Sequence, residues 1–212
     1  MMLFYMFAAD IPAFIAERMM RDVSHTTILT VYGKFRRLCQ HKLWSGPMLG
    51  EDAEGSVVEI DESYFGKRQK YNRGRATAAK VWVFGAVDRK SGKLLLKCVP
   101  NRRKVTLLPI LQKHVSSKAK IHHDNFSTYR KLEEVGFSHG AVNHSKEFVS
   151  QDGICTNTIE GVWGLVKSRI NAMHGIRREH LQDVLDEFAY RYRETDIFHK
   201  LMKDIEVPVC NN

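Results

Sequence analysis

The sequence predicts an α/β protein in which a mixed sheet flanked by helices follows a short helical region. Three observations carry this. Up to about residue 44 the apolar residues recur at helical spacing. From Ser56 the pattern changes to alternation and β-branched runs. Beyond that point strands and helices follow in the order β-β-β-α-β-α-β-α-α, an antiparallel meander continued by βα units.

Pro12 suits the first turn of a helix running to about Met20. Residues 21–24 make a short break, and Ser24 is placed to cap a second helix. Along it Ile28, Val31, Tyr32, Phe35 and Leu38 form an apolar stripe. Two helices joined by a short turn look like a helix-turn-helix over residues 1–44. In such a motif His25, Thr26 and Thr27 would face bases, and Lys34, Arg36 and Arg37 would face phosphates. A plain helical hairpin fits the same spacing. Residues 45–55 carry Gly, Pro and acidic residues without periodicity and read as a linker.

The sheet domain is expected over residues 56–196, with 197–212 as a tail. SVVEIDESYF, KVWVFGAVDR and KLLLKCVPN read as strands, the last two joined through a Ser-Gly turn. VTLLPILQKHV reads as a helix with Pro109 near its start or at a kink. AKIHHD is a fourth strand, STYRKLEEVG a helix ended by Gly136, and HGAVNH a fifth strand. Two further helices follow, one striped by Trp163, Val166, Ile170 and Met173, the other by Leu181, Val184, Leu185, Phe188 and Tyr192.

The net charge of +9 favours a polyanion partner, nucleic acid being the commonest. Cys39, Cys98, Cys155 and Cys210 are scattered with no C-x-x-C pair, which argues against a zinc site and fits a reducing compartment. No apolar run reaches the roughly 18 residues of a spanning helix, so no membrane partner is expected. The opening MMLFYMFAAD lacks a basic start, and Asp10 ends it early, so secretion is not expected.

Three acids stand out in this frame. Asp61 lies in the first strand, sharing a face with Val57 and Glu59, while Val58, Ile60 and Glu62 take the other. Asp124 ends the fourth strand, where α/β sheets build sites. Glu160 lies in the first turn of a helix, with Lys167 two turns further along the same side. Each has an ordinary alternative. Glu59 and Glu62 compete with Asp61, Asp124 could cap a turn, and Glu160 could face the helix dipole. Three clustered carboxylates repel one another, and divalent metals resolve the repulsion. Oxygen ligands suit Mg²⁺ or Mn²⁺, and two ions roughly 3.5–4 Å apart serve phosphodiester chemistry. Lys67, Arg68, Lys70, Arg73 and Arg75, with Tyr71 among them, would hold a DNA backbone, and Arg102, Arg103 and Lys104 form a second cluster. His122, His123, His139 and His144 lack tight metal spacing and read as packed or hydrogen-bonded. Trp163 reads as core.

EIDESYFGKR, VWVFGAVDR, LLPILQKHV, IHHDNFSTY, VNHSKEFV and NTIEGVWGLVKSRI together resemble the Merlin-type DNA transposases. They are also similar to the bacterial insertion-sequence transposases related to that group. The resemblance runs from about Val57 to about Arg193. It implies an RNase H-like fold, a triad of two Asp and one Glu, and Mg²⁺. The family's acids fall on Asp61, Asp124 and Glu160, its VNHS motif on Asn143 and His144, and Asn157 precedes the last acid. The expected activity is metal-dependent cleavage and strand transfer at transposon ends, by a homo-oligomer that handles two DNA ends. The alternatives are a decayed or domesticated DNA-binding protein and an RNase H-like nuclease without strand joining. The family's longer N-terminal DNA-binding region, often with a zinc ribbon, has no counterpart here, and the expectation is a shortened copy. Its compartment would be nuclear in a eukaryotic host and cytoplasmic in a bacterium.

Overall fold

A computed structural model describes residues 1–46, 48–51, 55–66, 81–142, 154–173 and 176–206. The chain divides into two compact units, one formed by residues 1–46 and 186–212, the other by residues 47–185.

The first unit is helical. It contains α1 (Met2–Ala8), α2 (Ala13–Met19), α3 (His25–Trp44), the end of α6 (Leu181–Arg191), and α7 (Ile197–Glu206). Ser24 caps α3, accepting the Thr27 N–H on its Oγ at 3.2 Å. Of the apolar stripe of α3, Ile28 and Tyr32 are buried together with Phe4, Phe7, Ala16, Cys39 and Leu201, and Phe35 and Leu38 pack against them partly buried. Each large side chain so buried contributes about 1.5–3 kcal/mol. Polar groups inside this core are paired. Glu187 accepts from Arg36 Nε at 2.8 Å and Arg191 Nε at 2.9 Å, and the Arg191 guanidinium donates to the last carbonyls of α1, Phe7 and Ala8. Arg36, read above as a phosphate contact, is therefore committed to a buried carboxylate. The opening apolar decapeptide forms α1 and contributes core side chains. The segment after Ile197, read as a tail, contains α7, whose Leu201 is fully buried.

The second unit is built on a five-stranded sheet: β1 (Val57–Phe65), β2 (Val81–Asp88), β3 (Leu94–Val99), β4 (Lys120–Asp124) and β5 (Ser138–Val142), in the order β3-β2-β1-β4-β5. The β1–β2 and β2–β3 pairs are antiparallel, while β1–β4 and β4–β5 are parallel. This is the mixed, RNase H-like arrangement with β1 at its centre. A central strand is buried on both faces, which explains the run Val58, Glu59, Ile60 with no exposed member. The helices α4 (Lys104–His114) and α5 (Asn157–Ala172), with the first turns of α6, complete the unit. Pro109 lies mid-way along α4, and the carbonyl that loses its donor belongs to Val105, which is 80% exposed and so open to water.

One predicted helix is absent. STYRKLEEVG forms two 3₁₀ turns, Ser127–Tyr129 and Glu133–Val135. The N–H groups of Tyr129, Leu132 and Val135 each reach back three residues. Tyr129 and Leu132 are fully buried, and the three-residue spacing aligns them on one side of a 3₁₀ turn. Gly136 ends the segment at φ +89°, the left-handed conformation expected of it.

Candidate active site

The register of the central strands brings two of the three acids together. Glu59 on β1 pairs with His122 on β4 in parallel. Two residues further along each chain stand Asp61 and Asp124, on neighbouring strands that run about 4.8 Å apart. Side chains at matched steps point to the same face. That face is covered by α5, whose first turn carries Glu160.

Packing brings α5 close at one point. Gly85 is the β2 partner of Asp61, and a Cβ built on it would lie 2.6 Å from the Trp163 ring and 3.0 Å from Ile159. A glycine is needed there for the helix to approach. Gly164, between Glu160 and Lys167, makes no such approach: a Cβ built on it would meet nothing within 4 Å outside its own helix. Trp163 is core, as its spacing suggests, but it also has a polar duty. Its Nε1–H donates to Asp61 Oδ2 at 2.9 Å.

Asp61 is half-buried. Burial pushes its carboxyl up to about 6, the Trp163 and Glu62 N–H groups pull it down, and the charges of Asp124 and Glu160 push it further up. Each of the other acids also engages a local donor. Asp124 Oδ1 accepts the Phe126 N–H at 3.2 Å, and Glu160 Oε1 accepts from Thr156 Oγ1 at 3.0 Å. Among the described residues no three His, Cys, Asp or Glu side chains are drawn closely enough together to hold a metal ion as they stand.

The opposite face of β1 carries Glu62, which Tyr129 engages through its hydroxyl. Burial, then the Asp61 and Asp124 charges, push Glu62 up to about 8, against the pull of Arg102. Arg102 Nη1 stands 3.9 Å from Glu62, its guanidinium lying over Trp82 at 4.0 Å and Phe126 at 4.6 Å. His122, His123 and His139 behave as packed groups. His123 Nε2 and His139 Nδ1 are hydrogen-bonded at 2.9 Å, and burial, then the charges of Arg89 and Lys120, push His122 down to about 4.

Lys167 is exposed on α5 with its ammonium 5.8 Å above the Phe65 ring. Lys67, Arg68, Lys70, Arg73, Arg75, Asn143 and His144 lie outside the described residues.

The model of the ISXO2-like transposase domain matches residues 52–193, which covers the whole sheet and α5. The chain belongs to the ISXO2-like transposase family. The match falls on the insertion-sequence side of the resemblance and not on its Merlin-type side. An uncharacterized transposase-like protein of Haemophilus influenzae is 31% identical over 105 residues, which span 50% of this chain and 85% of that protein. Among solved structures, the HTLV-2 integrase catalytic core domain in complex with magnesium is similar at a TM-score of 0.42 and 12% identity, over 68% of this chain and 90% of that one. The simian T-cell lymphotropic virus intasome in complex with PP2A regulatory subunit B56 gamma gives 0.42 and 13%, over 97% and 76%.

Two residues of this ISXO2-like transposase domain escaped the sequence reading. Trp163 gave an apolar-spacing signal and nothing to mark its N–H as a partner for Asp61. Glu59 was visible only as a rival to Asp61, and its partners on α5 lie about a hundred residues away.

Proposed function

We propose that this chain is a DDE transposase that cleaves DNA at transposon ends and joins a 3′-hydroxyl to target DNA. The observation that supports this best is the placement of Asp61 and Asp124 at matched steps of neighbouring parallel strands, with Glu160 in the first turn of the helix that packs on the same face. The donor set is all oxygen, which fits Mg²⁺ or Mn²⁺. Asp61, Asp124 and Glu160 would be the residues that hold the ions. Bound there, the ions would supply an activated water or 3′-hydroxyl and a charge sink for the leaving oxygen.

The chain's own groups then have definite tasks. Trp163 holds one oxygen of Asp61. The Thr156 hydroxyl orients Glu160. Lys167, exposed on the same helix, would hold a DNA phosphate, as would Lys67, Arg68, Lys70, Arg73, Arg75, Asn143 and His144. Two DNA ends must be handled in one reaction, so the active form is a homo-oligomer.

The test is a labelled duplex bearing the terminal repeats of the source element, incubated with protein and Mg²⁺ and scored for binding, nicking and joining. All three are expected. Nicking without joining would favour a nuclease, and salt-sensitive binding with neither would leave a DNA-binding protein.

A further inference from the structure

Glu59 is the second carboxylate on the α5 face of β1, and it is fully buried. Its Oε1 accepts from Arg89 Nε and from Thr158 Oγ1, and its Oε2 accepts the N–H groups of Thr158 at 2.8 Å and Ile159 at 3.0 Å. These two N–H groups are orphan donors of the first turn of α5. The helix has no cap of its own, because Thr156 makes no capping bond and turns its hydroxyl to Glu160 instead. Arg89 extends the tie, donating from Nη2 to the Cys155 carbonyl at 2.9 Å, just ahead of the helix. A strand residue therefore caps a helix that begins 98 positions later in the chain.

Both ends of this tie matter. Glu59 lies two residues before Asp61 on the same face of the same strand. Thr158 lies two residues before Glu160 in the same helical turn. We infer that Glu59 is a positioning residue, whose buried carboxylate fixes the start of α5 and so sets Glu160 against Asp61. It touches neither metal nor DNA. The inference rests on the metal role proposed above for Asp61 and Glu160. A carboxylate is required, since both oxygens accept and none donates. A glutamine would turn its NH₂ either towards Arg89 and the Thr158 hydroxyl or towards two backbone N–H groups.

The test is Mn²⁺ binding, followed by the loss of free-ion electron paramagnetic resonance signal, on the full chain and its Glu160→Gln, Glu59→Gln and Thr158→Val variants. Circular dichroism checks the fold of each. Wild type should bind, and Glu160→Gln should weaken binding by loss of a ligand. Glu59→Gln should weaken it about 10-fold or more with the fold retained, the size expected when a group that orients a ligand is lost. Thr158→Val, which removes one of the four bonds, should show a smaller loss of the same kind. Wild-type affinity in a folded Glu59→Gln protein would overturn the inference while leaving the metal site standing. If Glu59→Gln does not fold, Thr158→Val decides, and unchanged affinity there reduces Glu59 to a structural role. If wild type binds no Mn²⁺, or Glu160→Gln binds as wild type does, the metal reading fails and the inference with it.

Discussion

At the scale of single residues, Asp61 is held between two N–H donors, from Trp163 and Glu62, and several opposing influences. The Trp163 N–H stabilises its charged form, while burial and the two neighbouring acids disfavour it. Replacing Trp163 with Phe keeps most of the ring and removes the donor. The metal-free Trp163→Phe protein should therefore titrate Asp61 above its present value of about 6. Carbon-13 NMR of labelled aspartate reads this directly, and a carboxyl titrating at or below 6 would contradict it. Much at this scale was legible beforehand, since the three acids stand out by their places on strand, strand end and helix start. The choice of Asp61 over Glu59 came from the resemblance, because two carboxylates on one strand face look alike until their partners are known. Those partners, Trp163 for one and the start of α5 for the other, are brought up by the fold and leave no local mark.

At the scale of elements, the site depends on how closely α5 lies on the sheet. Gly85 permits that approach. In Gly85→Ala the new methyl would sit 2.6 Å from the Trp163 ring, and either the ring or the helix must move. The expected cost is about 1–3 kcal/mol of stability, as for other overpacked cores. A shifted α5 should also weaken the Asp61–Trp163 bond. Chemical denaturation measures the first effect, and an unchanged midpoint would show that α5 is looser than its packing implies. Strands, the Ser24 cap and the Gly136 stop were readable because their causes are local. The 3₁₀ turns were not. Buried residues three apart suit a 3₁₀ turn and an α-helix alike, and the choice falls to the chain's path between β4 and β5.

At the scale of the molecule, buried acids make the stability of the second unit depend on pH. Asp61 and Glu62 have folded values of about 6 and about 8, above their ordinary 3.8 and 4.5. A raised carboxyl contributes stability that is complete below its unfolded value and is lost as pH rises through its folded one. His122 acts in the opposite direction, since it is held at about 4 against an ordinary 6.5, so stability is gained as pH rises across that interval. The Asp61 and His122 effects oppose each other below about pH 6.5. Glu62 should then dominate between about 6.5 and 8. The metal-free protein should melt at lower temperature at pH 8.5 than at 6.5, and Glu62→Gln should flatten that fall; an equal fall in the variant would assign it elsewhere. The membership of the two units was hidden from sequence reading for a related reason. Residues 186–212 share a unit with the N-terminal helices, a long-range pairing carried by contacts such as Arg36 with Glu187.

The central claim is that Asp61, Asp124 and Glu160 act as one metal-holding set for cutting DNA. Its most direct test is the Mg²⁺-dependent nicking rate of Asp61→Asn, Asp124→Asn and Glu160→Gln on a terminal-repeat duplex, with DNA affinity measured in the same samples. Each single change should lower nicking by at least about 100-fold, because residues that act as a unit fail together. DNA affinity should stay close to that of wild type. Nicking at the wild-type rate by any one of the three variants would contradict the account.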